Sequence, residues 1–244
     1  MSAPSVHLHE VTYAYPDGHV ALRDLTCRIE AGESVAVIGG NGAGKSTMLQ
    51  HLNGILTPKG GSVHIGGMPV TRENLVAVRR AVGMVFQNPD DQLFMPTVRD
   101  DVAFGPVNMA LSSAEVEFRV QDALATVDAV HLADRQPHRL SGGEKRSVAI
   151  AGVLAMCPSV LVMDEPGDGL DPAARRRLIN LLIGLSVTKV IATHDLDLVL
   201  DVCTRVLVLR AGRLEADGAP ASVFNNTSLL ERCHLEQPLS WQSR

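Results

Sequence analysis

A chain of 244 residues that is 45% apolar holds enough hydrophobic material for one large domain or two small ones around a sizeable core. Its formal net charge of −5 argues against nucleic acid as the main partner. No apolar run approaches the length of a membrane span, and residues 1–10 lack the basic start and apolar centre of a signal peptide, so the sequence reads as soluble and cytoplasmic.

Residues 6–15 alternate apolar and polar side chains, and residues 21–30 alternate again after a turn at Pro16, Asp17 and Gly18, which predicts an antiparallel pair of strands. His7 and His9 stand two apart and so share a face of the first strand, where a metal is one reading and a surface pair the other. Tyr15 is placed either to pack in the core or to stack on an adenine ring, whose flat face makes no hydrogen-bond demand. Residues 34–38 form a short apolar run that reads as a buried parallel strand. It leads into Gly39, Gly40, Asn41, Gly42, Ala43, Gly44, Lys45, Ser46 and Thr47, which fit G-x-x-x-x-G-K-[S/T], and a helix is predicted over 48–54. Strand, glycine loop and helix in that order cradle phosphate. The glycines let backbone N–H groups converge on the oxygens, the helix N-terminus adds partial positive charge, Lys45 reaches the outer phosphates and the Ser46 hydroxyl ligates Mg²⁺.

Beyond this loop, Gly60, Gly61, Gly66 and Gly67 bracket a strand at 62–65, and a further apolar strand at 82–86 delivers Gln87. Residues 88–95 are turn-like, while 98–109 and 114–127 have helical character, the second opened by a capping-box pattern at Ser112 and Glu115. A second glycine signal, Leu140, Ser141, Gly142, Gly143 and Glu144, starts a helix predicted over 144–156. The buried strand at 160–163 ends in Asp164 and Glu165. Asp164 is suited to hold Mg²⁺, and Glu165, turned to the other face, to orient and polarise an attacking water. A helix over 172–184 and a strand over 187–192 follow, with His194 just past the strand end, and a hairpin around Ala211 and Gly212 closes the sheet. Gln87 and His194 lie beyond strands that can abut the phosphate loop, so both are candidates to reach the terminal phosphate or the water. Alternating strands and helices with functional residues at strand ends predict an α/β fold with a mostly parallel sheet. Cys27, Cys157, Cys203 and Cys233 are scattered without a C-x-x-C pair and read as reduced, buried thiols.

Taken in order, residues 39–47, Gln87, residues 140–144, residues 160–165, Gly169, Leu170, Asp171 and His194 resemble an ABC transporter ATPase, a P-loop NTPase with a mostly parallel core sheet, an antiparallel β subdomain and a helical subdomain. They match its Walker A, Q-loop, signature, Walker B, D-loop and H-loop, and Tyr15 matches its adenine-stacking aromatic. The resemblance runs to about residue 235. It implies one ATPase domain over 1–244: a nucleotide-binding core at 1–87 and 158–225, a helical subdomain at 88–157, and a tail at 226–244. ATP and Mg²⁺ are the implied cofactors, with Ser46, Gln87 and Asp164 at the metal, and Glu165, His194 and Gln87 at the reaction. Two such domains meet head to tail in this family, so Ser141, Gly142, Gly143, Glu144 and Asp171 would face the nucleotide held by a second copy's residues 39–47.

Residues 85–98 and 101–106, together with 145–156, resemble the energy-coupling-factor importers, particularly their cobalt and nickel branch. This implies two membrane partners, a coupling protein and a substrate-binding protein, no nucleic-acid partner, and a peripheral position on the cytoplasmic face of the cell membrane. Cobalt is the first expectation for cargo and nickel the second. The alternatives are a vitamin importer, such as one for biotin, and a soluble ABC ATPase of DNA repair or chromosome organisation. The latter has a long coiled coil between phosphate loop and signature, whereas here about a hundred residues intervene without sustained heptads. A P-loop small-molecule kinase would leave residues 140–144 and His194 without purpose. Asp90, Asp91, Asp100 or Asp101 are expected to receive arginines of the coupling protein, with Phe94 and Phe104 in apolar contact. The sequence departs from the family at Gly40, at Glu144 in place of the frequent glutamine, and at Gly167 and Asp168 before the D-loop. No regulatory domain is expected after Trp241.

Overall fold

Two sheets and a helical layer organise residues 4–242, which the computed structural model describes; the outer limits of the 1–244 domain and of the 226–244 tail, residues 1–3 and 243–244, lie outside the described residues. The first sheet is antiparallel. It joins β1 (Val6–Ala14), β2 (Val20–Ile29), β4 (Gly60–Ile65) and β5 (Met68–Pro69) in the order β2-β1-β4-β5. Its strands alternate because one face is wet. Val6, Leu8, Val11 and Tyr13 turn inward onto Met48, Leu49 and Leu52 of α1 (Lys45–Leu52), while His7 and His9 point out. His7 pairs across the sheet with His64, but among the described residues no group of three His, Cys, Asp or Glu is placed to hold a metal.

The second sheet has five parallel strands: β3 (Ser34–Ile38), β6 (Val82–Val85), β7 (Val160–Asp164), β8 (Thr188–Ala192) and β9 (Arg205–Arg210). With the antiparallel β10 (Arg213–Gly218) they follow the order β10-β9-β3-β8-β7-β6. Every residue of β3, β6, β7 and β8 is buried, since layers cover both faces, which is why these strands read as largely apolar runs rather than alternating ones, β8 carrying Thr188 and Lys189 at its start. On one side lie α1 and α2 (Leu75–Ala81). On the other lie α6 (Pro172–Gly184), α7 (Leu196–Val202), α8 (Pro220–Phe224) and α9 (Thr227–Arg232), packed through Leu178, Ile179, Leu182, Leu198 and Phe224. The architecture is the α/β fold expected, with its antiparallel sheet and helical part.

The helical part is α3 (Val98–Asn108), α4 (Ser113–Thr126) and α5 (Gly142–Leu154), closed around Val98, Val102, Val120, Leu124, Leu140 and Val148. Helix α5 belongs to both layers, because Ile150 and Val153 pack into the sheet's core while Val148 and Ala151 pack into the helical cluster.

Local expectations change at six places. Helix α1 begins at Lys45 rather than at residue 48, because Gly44, at φ 104°, takes the left-handed cap position that a side chain resists. The Ser112 hydroxyl accepts from the Glu115 N–H at 3.3 Å, but Glu115 turns to Arg119 at 2.7 Å instead of reaching back, so only half the capping box forms. Asp101 does not face outward: at 9% exposure its carboxylate accepts from the Phe94 and Met95 N–H groups at 3.0 and 3.1 Å and organises that loop. Asp90 already pairs with Lys145 at 2.6 Å, and Asp100 accepts from the Thr97 hydroxyl. Cys157 is exposed, in a left-handed conformation just past α5, unlike the other three buried thiols.

Candidate nucleotide-binding site

Strands β3, β8 and β7 lie side by side in register, Val37 beside Ala192 and Asp164 beside Ala192, so their C-terminal ends bring Gly39, His194, Asp164 and Glu165 together. Val85 of β6 pairs with Met163, which brings Gln87 to the same edge. Two glycines are needed sterically. A Cβ at Gly39 would overlap the Leu209 carbonyl oxygen, and one at Gly44 would stand 2.7 Å from the Ala21 carbonyl oxygen. At Gly40, by contrast, a Cβ would only touch the Cys233 carbonyl oxygen at 3.4 Å and the His234 Cβ at 3.7 Å, so this glycine is not required by space. The Lys45 ammonium donates to the Gly39 carbonyl at 2.9 Å, closing the loop on itself. The Tyr15 hydroxyl bonds to the Thr47 hydroxyl at 3.0 Å, fixing the aromatic face beside the loop. Together they line a cavity of about 300 Å³ with Asn41, Gly42, Ala43, Ser46, Gln87 and Glu165.

Asp164 is buried, and burial pushes its carboxyl above the usual range, against which the hydrogen bond with Ser46 and the Lys45 charge pull down. Its Oδ1 is buried without a partner. A buried acceptor left open beside a hydroxyl and a lysine is a group prepared for a cation, and hard oxygen donors of this kind fit Mg²⁺. Gln87 lines the same cavity, but its amide donates to Asp168 at 3.5 Å rather than turning to Ser46.

Glu165 is 8% exposed and sits at φ 46°, a left-handed conformation rare for side chains larger than glycine and asparagine. Its N–H donates to the Ala192 carbonyl at 2.8 Å. Its Oε2 meets the His194 N–H at 3.1 Å and the His194 Nδ1 at 2.8 Å. Sequence reading placed both residues near the phosphates but not against each other; the signal available was that both stand just past the ends of parallel strands. The loop behind them is tied down by Arg175, which donates to both oxygens of Asp195 at 2.5 and 2.8 Å.

The second glycine signal lies elsewhere. Ser141 caps α5 in a complete capping box: its hydroxyl accepts from the Glu144 N–H, and Glu144 Oε2 accepts from both the N–H and the hydroxyl of Ser141 at 2.7 Å. The Ser141 hydroxyl and N–H hold the Glu144 carboxyl below its usual range, with smaller help from Arg135 and His131. Gly142, Gly143 and Asp171 join these two around a cavity of about 450 Å³. Asp171 caps α6, accepting from the Ala174 N–H at 2.8 Å. No residue lines both this cavity and the phosphate-loop cavity.

Residues 22–168 match the family model described as ABC transporter. The chain is 49% identical over 238 residues to the energy-coupling factor transporter ATP-binding protein EcfA of Methanothermobacter thermautotrophicus, a match covering 96% of this chain and 76% of that protein. Among solved structures it is similar to cbiO1 of Clostridium perfringens, described as part of the ABC transporter complex cbiONQ, with TM-score 0.82, 42% identity and 93% of each chain covered. It is also similar to an ATP-binding cassette solved as a dimer in a post-hydrolysis state with ADP and Pi, with TM-score 0.80, 30% identity, 88% of this chain and 98% of that one.

Proposed function

The chain belongs to the ABC transporter family as an ATPase, and from that premise we propose that it drives an energy-coupling-factor importer as a homodimer, with cobalt as cargo and nickel next. The observation that carries the reading is the separation of two half-sites within one chain. The phosphate-loop cavity holds the groups that bind nucleotide phosphates and orient water, and the signature cavity holds a capped helix start that has nothing of its own to grip. Isologous pairing of two copies uses both halves twice. The dimeric cassette with ADP and Pi supports this pairing, and the EcfA relative and the cbiONQ complex support membrane partners. No helix among the described residues is long and apolar enough to cross a membrane, so attachment to the cytoplasmic face falls to a coupling protein and a substrate-binding protein.

In this reading residues 1–87 and 158–225 form the nucleotide core, 88–157 the helical subdomain, and 226–244 the tail. Tyr15 stacks on adenine. Lys45 and the N–H groups of residues 40–47 hold the phosphates, while Ser46, Asp164 and Gln87 hold Mg²⁺, which when bound neutralises phosphate charge. Glu165 takes a proton from the attacking water. His194 keeps that carboxylate in place through Nδ1 and leaves its other ring nitrogen for the terminal phosphate. From the second copy, the Ser141 hydroxyl, the Gly142 and Gly143 N–H groups, Glu144 and Asp171 close over the same nucleotide. Phe94 and Phe104, 64% and 44% exposed and edge to face at 4.9 Å, form the apolar contact for the coupling protein. Asp91 remains for its arginines.

Mixing Lys45→Ala with Ser141→Arg subunits tests the shared sites. Mixed dimers carry both lesions in one site and none in the other, so ATPase above either mutant alone is expected; none, with mixed dimers shown to form, overturns the reading. Mass spectrometry of the complex isolated from membranes, and uptake of radioactive cobalt and nickel, test partners and cargo.

A further inference from the structure

Arg146 receives no role from the motifs, yet it is the buried cation that joins them. It lies in the second turn of α5, 4% exposed. Nη1 donates to the Phe86 carbonyl at 2.7 Å and Nη2 to the Gln87 carbonyl at 2.6 Å, and the buried Nε has no partner. Burial works against its charge, opposed at longer range by Asp168 and then Asp164. A guanidinium kept in such a place is costly, and what it gains is two short charge-assisted bonds to one stretch of backbone. Two neighbours lace the same stretch to the same helix. Gln92 donates to the Ala149 carbonyl at 2.7 Å while accepting from the Phe86 N–H, and Lys145 pairs with Asp90. Residues 86–92 therefore ride on α5, whose first turn is Ser141 to Glu144.

We propose that Arg146 is a positioning residue that makes the Gln87 backbone part of helix α5, so that whatever engages the Ser141 end of that helix sets where the Gln87 amide lies in the phosphate-loop cavity. The half-site that a chain offers to its partner is thereby linked to the half-site it keeps. Without Arg146, the Gln92 bonds and the Lys145–Asp90 pair would still hold the stretch to α5, but neither grips the Gln87 backbone itself, so Gln87 would no longer report on the signature. The inference rests on the ATPase reading above.

The test is a double-mutant cycle on the full-length chain, with steady-state Mg·ATP hydrolysis and ATP binding measured side by side for wild type, Arg146→Met, Gln87→Ala and the double variant. Arg146→Met should lower kcat on the order of tenfold while ATP affinity stays within about twofold, because Tyr15 and Lys45 are untouched. The double variant should be no slower than the slower single variant, because both lesions remove the same placement of Gln87. Losses that multiply in the double variant, or an unchanged kcat in Arg146→Met, overturn the proposal. A purely structural role predicts the multiplied losses. Arg146→Lys keeps the cation and one carbonyl bond and should recover part of the rate; if Arg146→Met shows no cooperative unfolding transition, Arg146→Lys is read against Gln87→Ala in the same cycle. An inactive wild type that also fails to bind ATP would sink the ATPase reading itself, whereas an active wild type with multiplied losses sinks only the role of Arg146.

Discussion

Glu165 and Glu144 each end a glycine- or strand-borne signal and each binds a neighbour through one carboxylate oxygen, but they are held by different physics. Glu144 bonds to a residue three positions away, within a helix start that any Ser-x-x-Glu sequence can build. Glu165 bonds to a residue 29 positions away, across two parallel strands whose register must be right for the contact to exist. Glu144 stands at the rim of an open cavity; Glu165 is buried in a left-handed conformation that the surrounding fold must impose. The first can be lost without disturbing the sheet, and its loss weakens a helix end. The second is a product of the sheet, and on the proposed mechanism its loss removes the base that activates water.

That contrast predicts a ranking. Glu165→Gln should show the largest effect, a fall in hydrolysis of about 100-fold or more, since a general base contributes on that order. ATP affinity should persist, because the amide keeps the shape. Single-turnover hydrolysis with calorimetric binding checks both, and wild-type turnover would remove Glu165 from the role. His194→Ala should cost less, about tenfold, because the backbone N–H of residue 194 still holds Glu165 after the ring is gone. A loss equal to that of Glu165→Gln would mean that the ring's reach to the terminal phosphate matters as much as the carboxylate it holds.

The same contrast explains what could be read from the sequence. Residues 34–38 and 172–184 were bounded to the residue, because an unbroken apolar run and a proline after an aspartate cap mark those limits locally. Tyr15, residues 41–47, Gln87 and Glu165 line one cavity and Ser141 to Glu144 with Asp171 another, while His194 lines a third beside Asp168 and Gly169. What was not legible depended on competitors or on distance. The Ser112 pattern promised a full capping box, but Arg119, one turn on, drew Glu115 away. Asp100 and Asp101 look alike in sequence, yet one accepts from the hydroxyl of the capping Thr97 and the other is buried holding a loop, a difference made by two N–H groups of residues 94 and 95. Arg146 was hidden because its partners are backbone carbonyls about sixty residues away, which carry no side-chain signal.

On the Glu144 side the effects on the fold itself, as distinct from those on the shared nucleotide site, should be small and thermodynamic. Ser141→Ala removes the acceptor for the Glu144 N–H and one donor to its carboxylate, so α5 should lose a cap worth about 1 kcal/mol, read as a lower urea midpoint at unchanged slope. Because α5 packs in both hydrophobic layers, the loss should appear in the global transition rather than as local fraying.

The smallest expected effect is a pH dependence carried by Glu144. Its carboxyl is held below the ordinary value of 4.5 chiefly by the Ser141 hydroxyl and N–H, which bond the ionised form more strongly than the neutral one. In the unfolded chain no such donors are fixed, so the folded state binds the proton less well than the unfolded one. The stabilisation is therefore present above pH 4.5 and is lost as pH falls below 4.5 through the folded value. Glu144→Gln keeps an oxygen that can accept from Ser141 but has nothing to titrate. The difference in unfolding free energy between wild type and Glu144→Gln should be constant near neutral pH and shrink as pH falls below 4.5, by less than the Ser141→Ala effect, since this carboxylate is partly exposed and screened. Urea titrations of both proteins between pH 7 and 3.5 measure it. A difference that grows on acidification would mean that the Glu144 bonds to Ser141 do not persist in solution.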